Sequence, residues 1–419
     1  MKKITGSLLI GLLSLFILAC SSESSENNGV EITITNPTSL ERTDEFVLIP
    51  IENLLNEVTN EQLENFILKD SDNEIPIQIV GDDLSNLALI FTINLNPNQT
   101  KVLQFFQSDK KNPHQKYQSR VYAELAMKVN YDFKDGKYTG GEFKVFDKVS
   151  VPVTHTDHNA LFKYEGPGWE SDKVGYRFYI DWRNRFDIFG KKTNEMVLSE
   201  VGIKDIYAKD DSYHEMQVWG MDILKVGEST GLGTFGSLVS NIFETVEKRD
   251  SVQYRLIENG PVRAKFSTSY YGWDTGRESL DLVSDISINA GSRSSRVNLT
   301  TSSQLPNITT GIVKAPDTEY FENIEENSWS YIATYGVQSL SEDKLGMAVF
   351  FNSEALQNTA EVDDSWLITL NVAENSAEYY FAAAWEHELN GIKNKDEFTI
   401  YLNNELEKLN NPVDIKIKK

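Results

Sequence analysis

The sequence is poor in several things that would make its chemistry easy to read. It has a single cysteine, Cys20, which rules out an internal disulfide. It has no Gly-x-Ser-x-Gly elbow, no Walker A loop and no His-Glu-x-x-His motif, so the common signatures of serine hydrolases, P-loop nucleotide enzymes and helix-borne zinc proteases are missing. Histidine is scarce at 5 residues. Positive charge is also short, with 40 Lys and Arg against 63 Asp and Glu, a net charge of −23. A body of that charge repels nucleic acid and anionic membrane surfaces, so no nucleic-acid partner is expected. An anionic ligand needs a locally basic pocket.

Long apolar runs are equally absent. The most apolar stretch, Leu8 to Ala19, follows Lys2 and Lys3 and stops at Cys20. That is the charged head and apolar core of a secretory signal, and it falls short of the ~20 residues that span a bilayer. Ile17-Leu18-Ala19-Cys20 resembles a bacterial lipobox, with cleavage after Ala19 and lipid on Cys20. The expectation is a signal peptide over 1–19 and a lipidated, flexible tether over 20–29. The tether's SSESSENN segment has no apolar side chain to bury. The lipid would anchor the protein in the outer membrane, on its periplasmic or surface-exposed face.

What the chain does have is period-2 patterning. Alternating apolar and polar residues rich in Val, Ile, Tyr, Phe and Thr recur at Val30–Thr35, Glu45–Ile51, Ala88–Leu95, Gly175–Asp181, Val262–Tyr270, Leu282–Asn289 and Glu378–Ala384, among others. Many short strands without intervening helices predict an antiparallel sandwich rather than a parallel βαβ sheet. Few helices are expected. Asp396–Leu409 places Phe398, Leu402, Leu406 and Leu409 on one face ahead of Pro412, and Glu61–Leu68 and Leu238–Glu247 are weaker candidates. The polar, Pro113-containing tract Ser108–Tyr117 predicts a linker. The expected organisation is a small N-terminal β-domain over 30–112 and a large β-sandwich over 113–419 carrying the C-terminal helix.

One segment, 152–192, concentrates His155, His158, Trp169, Arg177, Trp182, Arg183, Arg185, Lys191 and Lys192 in an otherwise acidic chain. Aromatic faces stack on sugar rings and guanidinium forks match carboxylates and sulfates, so the cluster suggests an acidic saccharide ligand, with Trp169 and Arg183 among the binding residues. Tyr213-His214, followed by Trp219 and Asp222, offers a general base or acid at the histidine. In a strand these neighbours point apart, so they converge only in a turn or bulge. His155, Asp157 and His158 carry the N and O donors a divalent metal takes, without a zinc-protease spacing; no cofactor is required. Gly231-Leu-Gly233-Thr-Phe-Gly236 fits G-x-G-x-x-G outside any βαβ unit and is expected to be a glycine loop that lets backbone approach a ligand.

Several of these residues also carry a resemblance. Trp169-Glu170-Ser171-Asp172, Arg177, Asp187 with Gly190-Lys191, Tyr213-His214, Gly220 with Asp222, Val226-Gly227, and Gly231 with Gly233 resemble a family of exported bacterial proteins catalogued as a domain of unknown function. Its members sit in polysaccharide-utilisation systems. Ser171 departs from the asparagine many relatives carry. The resemblance implies a large sandwich of the galactose-mutarotase type and carbohydrate chemistry similar to that of the ulvan oligosaccharide dehydratases. Those enzymes remove water from a non-reducing-end glucuronic or iduronic acid to leave a 4,5-unsaturated uronate. On that implication His214 takes the C5 proton and Tyr213 protonates the departing hydroxyl, with His155 and His158 as alternatives. Arg177 or Lys191 neutralises the substrate carboxylate. Glu170, Trp219 and Asp222 join His155, His158, Trp169 and Arg183 in binding. The same groups would serve a polysaccharide lyase, and a non-catalytic glycan-binding lipoprotein is the rival class.

Overall fold

The computed structural model describes residues 29–56, 59–81, 86–110, 113–202, 213–362 and 364–419. The signal segment, Cys20 and the tether up to residue 28 lie outside them. No helix among the described residues is long and apolar enough to cross a membrane.

Strands dominate and every strand-to-strand ladder is antiparallel. Residues 30–107 form a small two-layer β-unit, whose sheets enclose a core of Ile32, Ile34, Val47, Leu89, Phe91, Leu103 and Phe105. Strand Val30–Thr35 alternates buried and half-buried positions along its length, as its period-2 pattern requires. The chain's last strand, Asp414–Lys418, pairs with this first strand, Ile32 opposite Ile417. The C-terminal residues therefore close the small unit's sheet instead of ending on the large sandwich, which sequence order alone does not suggest.

The large body is a sandwich. A nine-stranded sheet faces a second layer made of two five-stranded sheets. The layers meet in one core that includes Trp169, Tyr176, Phe186, Phe266, Trp273, Ile286, Val297 and Phe381. The other face of the nine-stranded sheet holds helix Lys395–Asn410, which buries Phe398, Leu402 and Leu406 against Tyr331, Ala348, Phe350 and Ala382. Asn394 caps the helix by accepting from the backbone N–H of Glu397.

Two helix expectations give way. Leu238–Glu247 is a hairpin of strands Gly236–Val239 and Ile242–Thr245, turned by Ser240 and Asn241 at positive φ. Pairing with strand Ile308–Val313 overrides its weak helical period. The helix Asn60–Leu63 covers only the start of the Glu61–Leu68 stretch; Phe66–Asp70 is a strand. Arg120 joins the two bodies, contacting Asp44 of the small unit at 2.6 Å and Asp172 of the sandwich at 2.5 Å.

Candidate functional site

The site lies on the outer face of a five-stranded sheet containing strands Gly168–Ser171, Val174–Phe178, Phe186–Lys191 and Gly220–Asp222. Alternation divides these strands cleanly. Trp169, Tyr176, Phe178, Phe186 and Ile188 face the sandwich core, which leaves Arg177 and Asp187, directly paired in register, on the opposite face.

Arg177 is the hub. Its side chain is 3% exposed. Nε and Nη2 bond Asp187 Oδ2 at 2.9 and 2.6 Å, Nη2 reaches Asp222 Oδ2 at 2.5 Å and Tyr179 OH at 2.9 Å, and Nη1 donates to Tyr213 OH at 3.1 Å. Its guanidinium also lies over the Tyr213 ring, 5.0 Å from the centroid. The Tyr179 hydroxyl in turn donates to Asp187. Burial lifts the Asp187 carboxyl to about 7, and the like charge of Asp222 adds to this against the pull of Arg177. Burial likewise raises the Tyr213 phenol, and although Arg177 pulls the other way the net position is about 12.

His214 completes the cluster. Its Nδ1 lies 3.1 Å from Asp222 Oδ2, and its side chain is 53% exposed against 2% for Asp222. The two neighbours do converge: their rings sit 4.5 Å apart, in the turn before strand Gly220–Asp222, where Asp222 N–H bonds Tyr213 C=O at 2.7 Å. Tyr213 and Trp219 both pack edge-on to Phe189, at 5.6 and 5.9 Å. Beside this group, Arg183 stacks on Tyr179 at 4.0 Å and bonds Asp181, Glu165 and Asp157 at 2.5, 3.0 and 3.1 Å. Burial would raise the Glu165 carboxyl, but Arg177 and Arg183 outweigh it and the net shift is downward.

Three expected site residues belong elsewhere. Trp169 is buried between the sandwich layers and donates Nε1–H to Ser295 at 2.8 Å, so it is core and stacks on no sugar. Lys191 and Glu170 form a sealed pair at 2.5 Å, both side chains 0% exposed. Lys191 also donates to Ser171 C=O, and Glu170 accepts from the backbone N–H groups of Val197 and Leu198. Neither side chain can reach a substrate. Lys191→Met should therefore act on stability, lowering it by about 3 kcal/mol, the low end for a stranded buried partner because Glu170 keeps its two backbone donors. Chemical denaturation checks this; unchanged stability would contradict the pair's structural role.

Arg177 is itself a correction in role. Buried and engaged by Asp187, Asp222, Tyr179 and Tyr213, with Glu165 3.8 Å from Nη1, it organises the cluster's own groups and is less accessible than Arg183. His155 tucks against Phe162 and bonds Asn159 through Nδ1 at 3.0 Å; burial lowers its pKa. His158 is exposed and contacts Asp157. The donor atoms of Asp157, His158 and Glu165 lie within 4.8 Å of one another, but both carboxylates are already paired with Arg183. The glycine loop serves packing. A Cβ on Gly231 would stand 2.3 Å from Phe186 C=O, and one on Gly233 would stand 2.5 Å from the Phe381 ring. Tyr179, Asp181 and Glu165 were not anticipated, although Tyr179 shares the strand face of Arg177 by simple alternation.

The whole arrangement sits in a chain that belongs to a recognised family. A family model described as a domain of unknown function, DUF4861, matches residues 34–415. The chain is 25% identical to an uncharacterised protein, P7, of Formosa agariphila, over the full length of both. Among solved structures it is similar to an α-mannosidase from Enterococcus faecalis, with a TM-score of 0.50, 10% identity, and coverage of 93% of this chain and 46% of that one. A glycosyl hydrolase family 38 protein of the same organism gives a TM-score of 0.49 at 10% identity, covering 93% of this chain and 47% of that one. The chain thus spans about half the length of these structures, and the likeness is one of fold: a mainly antiparallel β-sandwich.

Proposed function

We propose that the protein is a carbohydrate-active dehydratase that removes water from the non-reducing-end uronic acid of an oligosaccharide. The observation that carries this reading is the pairing of a half-exposed histidine, held by a buried aspartate, with a half-buried phenol that stays protonated. With Nδ1–H donating to Asp222, His214 Nε2 carries the free lone pair and is the base. It takes the C5 proton, the C5–H electrons form the C4=C5 double bond, and the C4–O bond breaks. Tyr213 donates its proton to the leaving hydroxide, which departs as water, and Arg177 stabilises the phenolate that remains. The proton on His214 then returns to Tyr213, so no oxidant or cofactor enters the balance. Arg183 is the substrate-facing cation in this scheme. It is stacked on Tyr179 and can exchange the partly exposed Asp157 for the substrate carboxylate. Likeness to carbohydrate-active folds supports the substrate class.

The test is optical. A 4,5-unsaturated uronate absorbs in the far ultraviolet, where the saturated sugar does not, so absorbance there should grow when the protein meets oligosaccharides with saturated uronyl ends. Binding without growth across several such substrates would make it a glycan-binding protein instead. Tyr213→Phe should keep binding and lose about 10²-fold in turnover, the low end for a general acid because water can substitute in part. A phenol at about 12 is protonated at every pH below that, so Tyr213 should impose no alkaline fall in kcat up to pH ~10. A tyrosine acting as base would give the opposite profile, rising as pH rises.

A further inference from the structure

On the far side of the sandwich, away from the Arg177–His214 face, a cavity of about 520 Å³ opens between the small N-terminal unit, the outer face of the nine-stranded sheet and helix Lys395–Asn410. That volume lies within the roughly 300–1,000 Å³ of small-molecule sites. Its wall holds two half-buried phenols, Tyr380 and Tyr401. It also holds an unusual balance of charge for so acidic a protein. Its carboxylates are mostly engaged: Asp44 with Arg120, Glu45 with Arg42, Glu405 with Lys408. Of its cations, Arg263, Arg296 and Lys408 are likewise paired, with Glu258, Glu378 and Glu405, which leaves Lys173 and Arg293 as the less engaged ones. Lys173 has no ion-pair or side-chain hydrogen-bond partner among the described residues and is half-buried. Arg293 gives only Nε to Glu388, at 2.9 Å, and lays its guanidinium over Tyr401, 5.2 Å from the centroid. The floor between them is fixed. Ser171 Oγ bonds both Ser292 C=O and the Lys173 N–H, tying the loop that carries Lys173 to the loop that carries Arg293.

We infer that this cavity is a second, non-catalytic binding site for an acidic saccharide. Lys173 and the Nη groups of Arg293 would take the anionic group, and the Tyr380 and Tyr401 rings would meet the sugar faces. Asn289, Asn390 and Asn404, also on the wall, supply the amide donors and acceptors that hydroxyls need. Two contacts on different parts of the sandwich let one chain hold a polymer at one place while its ends, or another strand, are processed at the other. Uronate carboxylates and sulfate esters share the chemistry that Lys173 and Arg293 recognise.

The test uses the full mature chain carrying His214→Ala, which blocks turnover, titrated calorimetrically with a sulfated, uronate-containing oligosaccharide, its desulfated form, and a neutral oligosaccharide of equal length. The sulfated ligand should bind at more than one site per chain. Adding Lys173→Glu should abolish one of these and leave the other. Tyr380→Ser should weaken the same site without reversing charge. Retention with the desulfated form assigns the uronate as the recognised anion; loss assigns the sulfate. Unaltered stoichiometry and affinity in both variants, or equal binding of the neutral sugar, would overturn the inference. If the catalytic face bound nothing, a single Lys173-dependent site would remain, so this inference and the proposed function fail separately. Lys173→Glu with His214 intact should turn over a short substrate like the parent.

Discussion

His214→Ala should lose turnover by about 10²–10⁴-fold, the usual range for removing a general base, while substrate binding and melting temperature stay near those of the parent. The separation follows from geometry. The His214 side chain is half exposed and makes a single charged contact, with Asp222 at 3.1 Å, so little packing is lost with it. Asp222 keeps its bond to Arg177 at 2.5 Å and is not stranded. Near-parental turnover in the folded variant would remove His214 from the mechanism and direct attention to Tyr213, His155 or His158. Lost turnover with an equal fall in melting temperature would mean a structural role only.

Arg177→Met should do the reverse and act first on folding. Its side chain is 3% exposed, and its charge is what allows Asp187 and Asp222 to lie together in the same buried cluster. Removing one partner from a buried ionic cluster costs about 3–5 kcal/mol, because uncompensated charge is left behind. Here two carboxylates lose the cation they share and keep only neutral donors and the half-exposed His214, so about 5 kcal/mol is expected, large against a total stability of about 5–15 kcal/mol. The pH dependence has a definite sign. Asp187 already titrates near 7, pushed up by burial and by Asp222; without the opposing pull of Arg177 it rises further above its unfolded value. A carboxyl raised in the folded state contributes stability that is complete below its unfolded pKa and is lost as pH rises through the folded one. The variant should therefore melt closest to the parent near pH 5 and furthest below it near pH 8. A gap that is constant with pH, or widest in acid, would contradict the cluster described here.

These two residues also mark what the sequence could and could not show. Period-2 alternation in the strand containing Arg177 placed it opposite Tyr176 and Phe178, and the sandwich follows from many such strands. The closeness of Tyr213 and His214 required a turn, and the turn is present. The state of Arg177 was not legible, because its partners Asp187 and Asp222 come from other strands and only register brings them together. Lys191, Glu170 and Trp169 looked functional for the same reason. An ion pair sealed beneath the segment of Val197 and Leu198 and a tryptophan between two layers read, in one dimension, like any charged or aromatic residue in a basic cluster. The closing strand Asp414–Lys418 escaped notice because its partner is the far end of the chain. The hairpin at Leu238–Glu247 was hidden because neighbouring strands, not local propensity, determine its form.

The central claim is that His214 and Tyr213 carry out an elimination at the end of a uronyl oligosaccharide, with water as the leaving group. Mass spectrometry of the products addresses it most directly. Incubation with an oligosaccharide bearing a saturated uronic acid at its non-reducing end should give a product lighter by one water, with every sugar unit retained and far-ultraviolet absorbance gained, and His214→Ala should give none. A shortened chain with an unsaturated end would make the protein a polysaccharide lyase, and a shortened chain with no unsaturation would make it a hydrolase. Either result would contradict the proposal.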